Sequence, residues 1–146
     1  MLRTTLCILA AYVAGASPSA ADPHAEFPLP DGDYDIRANM VMPHLEEMRR
    51  MTTEERVCVT RNRVSALFPV LRQPALRGCE FGYAMVRGEA VEYVLVCESA
   101  RVATGSARLR RHGELIEGQL AVKMGGKNMT FSQGIRARHV ADCGPG

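Results

Sequence analysis

Apolar and polar residues alternate with period two along most of the chain beyond Asp31, the pattern of strands with one face buried and one face wet. The alternation is clearest in CEFGYAMVRGEAVEYVLVC, from Cys79 to Cys97. Cys79, Phe81, Tyr83 and Met85 share one face, opposite Glu80, Gly82 and Ala84; on the return strand Val91, Tyr93, Leu95 and Cys97 lie opposite Glu92 and Glu98. Arg87-Gly88-Glu89 supplies the turn. With those three residues as the loop, Cys79 faces Cys97, Phe81 faces Leu95, Tyr83 faces Tyr93, and Met85 comes near Val91. A slip of one residue would mix the faces, whereas a shift of two keeps the parity and sets the cysteines diagonally.

The same period predicts the other elements. Tyr34, Ile36, Ala38, Met40 and Met42 form one face of a strand ended by Pro43, with Asp33, Asp35, Arg37 and Asn39 on the other. Residues 44–51 have helical spacing, and Glu55 to Thr60 reads as a short strand carrying Cys58. Thr60 can cap a brief helix through Leu67, stopped by Pro69. Strands follow over Val102–Arg111, Ile116–Met124 and Met129–Val140, with turns at His112-Gly113 and Gly125-Gly126-Lys127-Asn128. The fold class is mainly β: an antiparallel meander of about seven strands curled into a half-barrel or barrel, with two short helical excursions before the central hairpin.

Residues 1–21 break this pattern. A basic start at Arg3, the apolar run from Leu6 to Ala16 and small residues up to Ala21 predict a secretory signal peptide. A Pro-rich lead-in over 22–30, one domain over 31–143 and a tail over 144–146 complete the expected organisation. Removing the leader's 21 residues from 146 leaves 125, enough for one core, and the protein is expected to be periplasmic or secreted, with no membrane span in the mature chain.

Export changes the meaning of the cysteines. Cys7 leaves with the leader, and an even set remains: Cys58, Cys79, Cys97 and Cys143. Hairpin geometry favours Cys79 with Cys97 and hence Cys58 with Cys143; the competing pairing is Cys58 with Cys79 and Cys97 with Cys143. The wide spacing argues against zinc. His24 stands third in the mature chain, but Pro23 has no amide proton to give up, so an amino-terminal copper site cannot complete. A softer Cu(I) set of Met40, Met42, His44, Met48 and Met51 competes with simple core filling by methionine. The Gly125-Gly126 loop is not followed by the Lys-Ser or Lys-Thr of a phosphate loop. Metal and cofactor are therefore both expected to be absent.

Charge narrows the partners further. Of 18 Lys and Arg, Arg3 is in the leader, against 16 Asp and Glu, so no global field points to nucleic acid. The scattered histidines and the lack of a nucleophile-elbow serine give no catalytic residue, and the protein is expected not to be an enzyme. Two binding surfaces remain. One is an apolar concave face bearing Phe81, Tyr83, Tyr93 and Leu95, where the small residues Ala103, Gly105 and Ala107 leave room for a lipid-like molecule. The other is an outward basic face of Arg108, Arg110, Lys123, Arg136 and Arg138, suited to anionic headgroups or an acidic partner.

Gly32-Asp33-Tyr34-Asp35 through Met40-Val41-Met42-Pro43, Cys58-Val59-Thr60, the Cys79 to Cys97 hairpin with Gly88 in its turn, Thr104-Gly105-Ser106 and the terminal Cys143 together resemble the domain of unknown function 3617 family of exported bacterial proteins. The resemblance covers nearly all of the mature chain and departs from the family pattern at Tyr34, Ala137 and Ala141. It implies an exported β-rich domain and brings no activity with it. The expected function is that of a non-enzymatic binding or envelope-interaction module, with carriage of a hydrophobic small molecule as the alternative.

Overall fold

The computed structural model describes residues 27–43, 51–99, 101–126 and 129–144. Seven strands form one antiparallel sheet: β1 (Gly32–Val41), β2 (Met51–Val59), β3 (Glu80–Arg87), β4 (Ala90–Val96), β5 (Ala103–His112), β6 (Leu115–Met124) and β7 (Thr130–Ala141). Their spatial order is β2-β1-β7-β6-β5-β4-β3, so the β3 to β7 meander is extended by the β1/β2 hairpin docking on β7. The sheet is not closed into a barrel; β2 and β3 are its two edges.

The parity read from the sequence decides which side is buried. Tyr34, Ile36 and Ala38 of β1, Tyr93 and Leu95 of β4, Leu109 of β5, Ile116, Leu120 and Val122 of β6, and Ile135 and Ala137 of β7 all point to one face and are buried there. Each large apolar side chain buried in this way contributes about 1.5–3 kcal/mol.

That inner face is covered by the segment between β2 and β3. Val64–Leu67, Pro69–Arg72 and Pro74–Leu76 are three successive 3-10 turns, closed by bonds such as Phe68 N–H to Ser65 O (3.1 Å) and Leu71 N–H to Phe68 O (3.0 Å). Pro69 and Pro74 each stand at the start of a turn, where a missing N–H costs nothing, and each prevents the previous turn from growing into an α-helix. The cover is therefore longer than the helix ending at Leu67 that the sequence suggested, and it begins after Arg63 without a Thr60 side-chain cap. Leu67, Phe68, Val70, Leu71 and Leu76 fill the space over the sheet. The cover is tied to both edges: Arg72 pairs with Glu55 on β2, and the Ser65 hydroxyl donates to Glu80 Oε2 on β3 (2.9 Å). In its middle, the buried Gln133 on β7 accepts the Val70 N–H (3.3 Å).

Several sequence expectations are corrected. Met51, assigned to a helix, opens β2, which is longer than the strand expected from Glu55; residues 44–50 lie outside the described residues. Phe27 and Leu29, placed in a lead-in, belong to the core, fastened by Phe27 N–H to Tyr93 Oη (2.9 Å) and Leu29 N–H to Asn62 Oδ1 (3.0 Å). The hairpin loop is Gly88-Glu89 alone, because Arg87 pairs with Ala90. The lost loop residue reappears as a β-bulge between Gly82 and Met85, so Phe81 still faces Leu95 while Met85 faces Glu92.

Both favoured cysteine pairs are joined, Cys79 to Cys97 and Cys58 to Cys143. Asp33 of β1 pairs with Cys58 on one side and Ala141 on the other, so the second bridge straddles the start of β1. Asp33, Cys58 and Cys143 lie close enough together to suggest metal ligands, but both sulfurs are spent in the bridge and neither is a thiolate.

Candidate functional site

The outer face carries the charge. Its strand parity points Arg37, Asn39, Arg108, Arg110, Glu117, Gln119 and Arg136 away from the core, and strand pairing arranges them in rows. One row reads Glu54, Arg37, Arg136, Glu117, Arg110 across β2, β1, β7, β6 and β5. The next reads Thr52, Asn39, Gly134, Gln119, Arg108, Glu92, ending on β4. Between and above these rows lies an open depression of about 640 Å³, lined by Arg37, Arg108, Arg110 and Arg136 together with Glu117. Its floor is bare at Gly134, where a Cβ would come within 2.7 Å of Asn39 Oδ1.

The electrostatics of the rows are unbalanced. Arg37 and Arg136 are direct cross-strand partners, a like-charge opposition that weakens a sheet unless carboxylates stand on the far sides. They do: Glu54 lies 3.5 Å from Arg37 Nε, and Glu117 accepts from Arg136 Nε at 3.1 Å. Arg108 is 3.7 Å from Glu92. Arg110 has no carboxylate partner among the described residues. Exposed pairs of this kind contribute only about 0–1 kcal/mol, so an incoming anion can compete for them. Guanidinium forks match the planar oxygen pair of a carboxylate or phosphate.

A second depression of about 480 Å³ adjoins the first, sharing Arg37 and Arg136 and adding Arg138. Asp35 in its wall accepts from Nε and Nη2 of Arg56 (2.6 and 3.0 Å), and that hydrogen bonding keeps its carboxyl below the usual carboxylate range. Of the basic residues read from sequence, Arg108, Arg110 and Arg136 thus meet in one depression and Arg138 lines its neighbour. Lys123 shares the face but sits six residues along β6 from Glu117, about 20 Å away, opposite Thr104 and Thr130. Arg37, Asn39 and Gln119 were not in that group. Their outward parity was legible, but the pairing of β1 with β7 that brings Arg37 to the site was not.

The apolar candidate face has a different fate. Phe81, Tyr93 and Leu95 do point inward: Phe81 stacks on Tyr93 (ring centroids 5.6 Å) and meets the edge of Phe68 (5.4 Å). Tyr83 does not join them. The bulge gives it a φ of 52° and turns it into solvent, 78 % exposed. Ala103 and Ala107 are buried beneath the packed core rather than lining open space.

Of the Cu(I) candidates, Met40 and Met51 are cross-strand partners, and Met40 and Met42 pack against the core. His44 and Met48 lie outside the described residues. His139 sits edge-on to Tyr34 (centroids 5.2 Å), and its Nε2 is buried without a hydrogen-bond partner. His112 lies 3.9 Å from Glu117 at the rim of the basic rows. Among the described residues no helix is long and apolar enough to cross a membrane. No family model matches this chain, and neither a curated protein nor a solved structure matches it.

Proposed function

We propose that this protein is a non-enzymatic binding module of the cell envelope that holds an anionic partner on the outer face of its sheet. The observation that carries the reading is the convergence of Arg37, Arg108, Arg110 and Arg136 on one open depression, with Arg110 making no ion pair among the described residues. A planar guanidinium fork loses less entropy per hydrogen bond formed than a lysine ammonium does and matches paired oxygens, which favours a phosphate or carboxylate over a diffuse cloud of counterions. The envelope location rests on the leader expected over 1–21, on two disulfides, which form and persist mainly in oxidising compartments, and on the resemblance to exported four-cysteine domains. The alternative, carriage of a hydrophobic molecule, needs space on the inner face, and Phe68 together with its neighbours in the cover occupies that space.

Vesicle co-sedimentation tests the reading. The protein should bind phosphatidylglycerol vesicles at low salt, release them at about 0.5 M salt and ignore neutral phosphatidylcholine vesicles. A poly-glutamate competitor separates the two sources of anion: displacement from vesicles without a vesicle preference favours an acidic polypeptide. Arg110→Glu with Arg136→Glu should abolish binding to both. Equal binding by that variant, or binding unaffected by salt, would contradict the proposal.

A further inference from the structure

The two edges of the sheet are built differently. β2 carries Glu54, Glu55 and Arg56 in mid-strand, and Arg72 lies against Glu55, so this edge is charged and partly covered. β3 reads Glu80-Phe81-Gly82-Tyr83-Ala84-Met85-Val86-Arg87, with charge only at its two ends. Tyr83, Met85 and Val86 are exposed on it, and Val94 and Val96 continue the apolar surface onto β4.

Tyr83 is the informative residue. A bulky side chain at a φ of 52° is a strained backbone outlier, and in the single chain this one is 78 % exposed and gains no burial in return. The bulge also changes the parity of the strand. Phe81 pairs with Leu95 and Val86 with Val91, so both sit opposite core-facing residues. Gly82 pairs with Val94 and Met85 with Glu92, so both belong to the outer face. Because of the extra residue, a two-fold axis placed between Tyr83 and Ala84 superposes the two halves of β3 with their faces matched.

We propose that β3 pairs antiparallel with β3 of a second copy of this chain, joining two seven-stranded sheets about a two-fold axis between Tyr83 and Ala84. In that register Phe81 faces Val86 of the second copy, Gly82 faces Met85, and Glu80 faces Arg87, so every pair shares a face and both ends carry opposite charges. The two Tyr83 side chains flank the axis, where the small Ala84 of the opposite strand leaves them room. Ser65 holds one oxygen of Glu80 and leaves the other for the incoming guanidinium. The surface uses none of the arginines of the depression, so it stands or falls independently of the proposed function.

Sedimentation equilibrium over about 1–200 µM protein is the test, with a dimer expected within that range. Glu80→Arg and Arg87→Glu should each weaken association roughly tenfold, and the double reversal should restore it to within about threefold. Each reversal also loses a contact within its own chain, Glu80 with Ser65 and Arg87 with Glu92 (3.8 Å), and the double variant keeps both losses, so recovery can come only from the interface. Tyr83→Gly should raise the melting temperature measured at monomer concentrations, because glycine accepts the positive φ, while weakening the dimer at least about tenfold. A monomer throughout the range would overturn the proposal. So would a dimer indifferent to the single reversals, one that the double reversal fails to restore, or one unaffected by Tyr83→Gly.

Discussion

Gly118 on β6 lies directly beneath Phe68: a Cβ built on the glycine would stand 2.9 Å from Phe68 Cζ and 2.8 Å from Ile135 Cγ1. The ring occupies the place a side chain would have taken, which is how one segment of 3-10 turns seals the middle of a seven-stranded face. Gly118→Ala should therefore destabilise by about 1–3 kcal/mol through overpacking, and Phe68→Ala by about 3–5 kcal/mol through the cavity it leaves. Because the two positions share one space, Phe68→Leu combined with Gly118→Ala should cost less than the sum of the single changes in chemical denaturation. Additive losses would show that Phe68 does not seat on Gly118.

The bridge from Cys58 to Cys143 closes a sequence separation of 85 residues and ties the chain just after β7 to the end of β2, across β1. Loop-closure entropy makes it the more stabilising of the two, since the hairpin bridge spans a separation of only 18. Replacing Cys58 and Cys143 by alanine should cost about 2–5 kcal/mol, more than the same change at Cys79 and Cys97. Urea midpoints of the two double variants check the order, and a larger loss from the hairpin pair would contradict it.

Burial raises the pKa of the Tyr34 phenol above its ordinary value, a shift that nearby Arg111 opposes and Asp31 reinforces; the hydroxyl donates to Pro30 O at 2.9 Å. A raised pKa in the folded state means that the unfolded chain loses this proton first as pH climbs. The stability tied to the neutral phenol is thus complete below about pH 10 and falls as pH rises from there through the folded-state pKa. Tyr34→Phe should cost about 0.5–1.5 kcal/mol at neutral pH for the lost hydrogen bond and should flatten the alkaline decline relative to the parent. An unchanged alkaline slope in pH-dependent melting would locate the titration elsewhere.

Period-two alternation made the faces of β1, β4, β5, β6 and β7 legible, and the cysteine positions favoured the pairing that the hairpin then allows. Tyr83 escaped because a bulge leaves no mark on composition: a two-residue turn plus one bulged residue returns the same register at Cys79 and Cys97 as a three-residue turn without one. Phe27 and Leu29 escaped because they are held by hydrogen bonds to Tyr93 and Asn62, residues distant in sequence. The basic site was half legible for a similar reason. Which residues point outward is local, whereas Arg37 reaches the others only because β1 docks on β7.

Under the proposed function, recognition falls on the outer arginine face and the inner face is given over to packing. Proton–nitrogen correlation NMR of the backbone amides and the arginine guanidinium groups, during titration with a soluble short-chain anionic phospholipid, distinguishes the two faces most directly. Saturable shifts at Arg37, Arg108, Arg110 and Arg136 that collapse in high salt are the predicted result. Saturable shifts centred instead on Phe81, Tyr93 and Leu95, with the arginines unmoved, would contradict it.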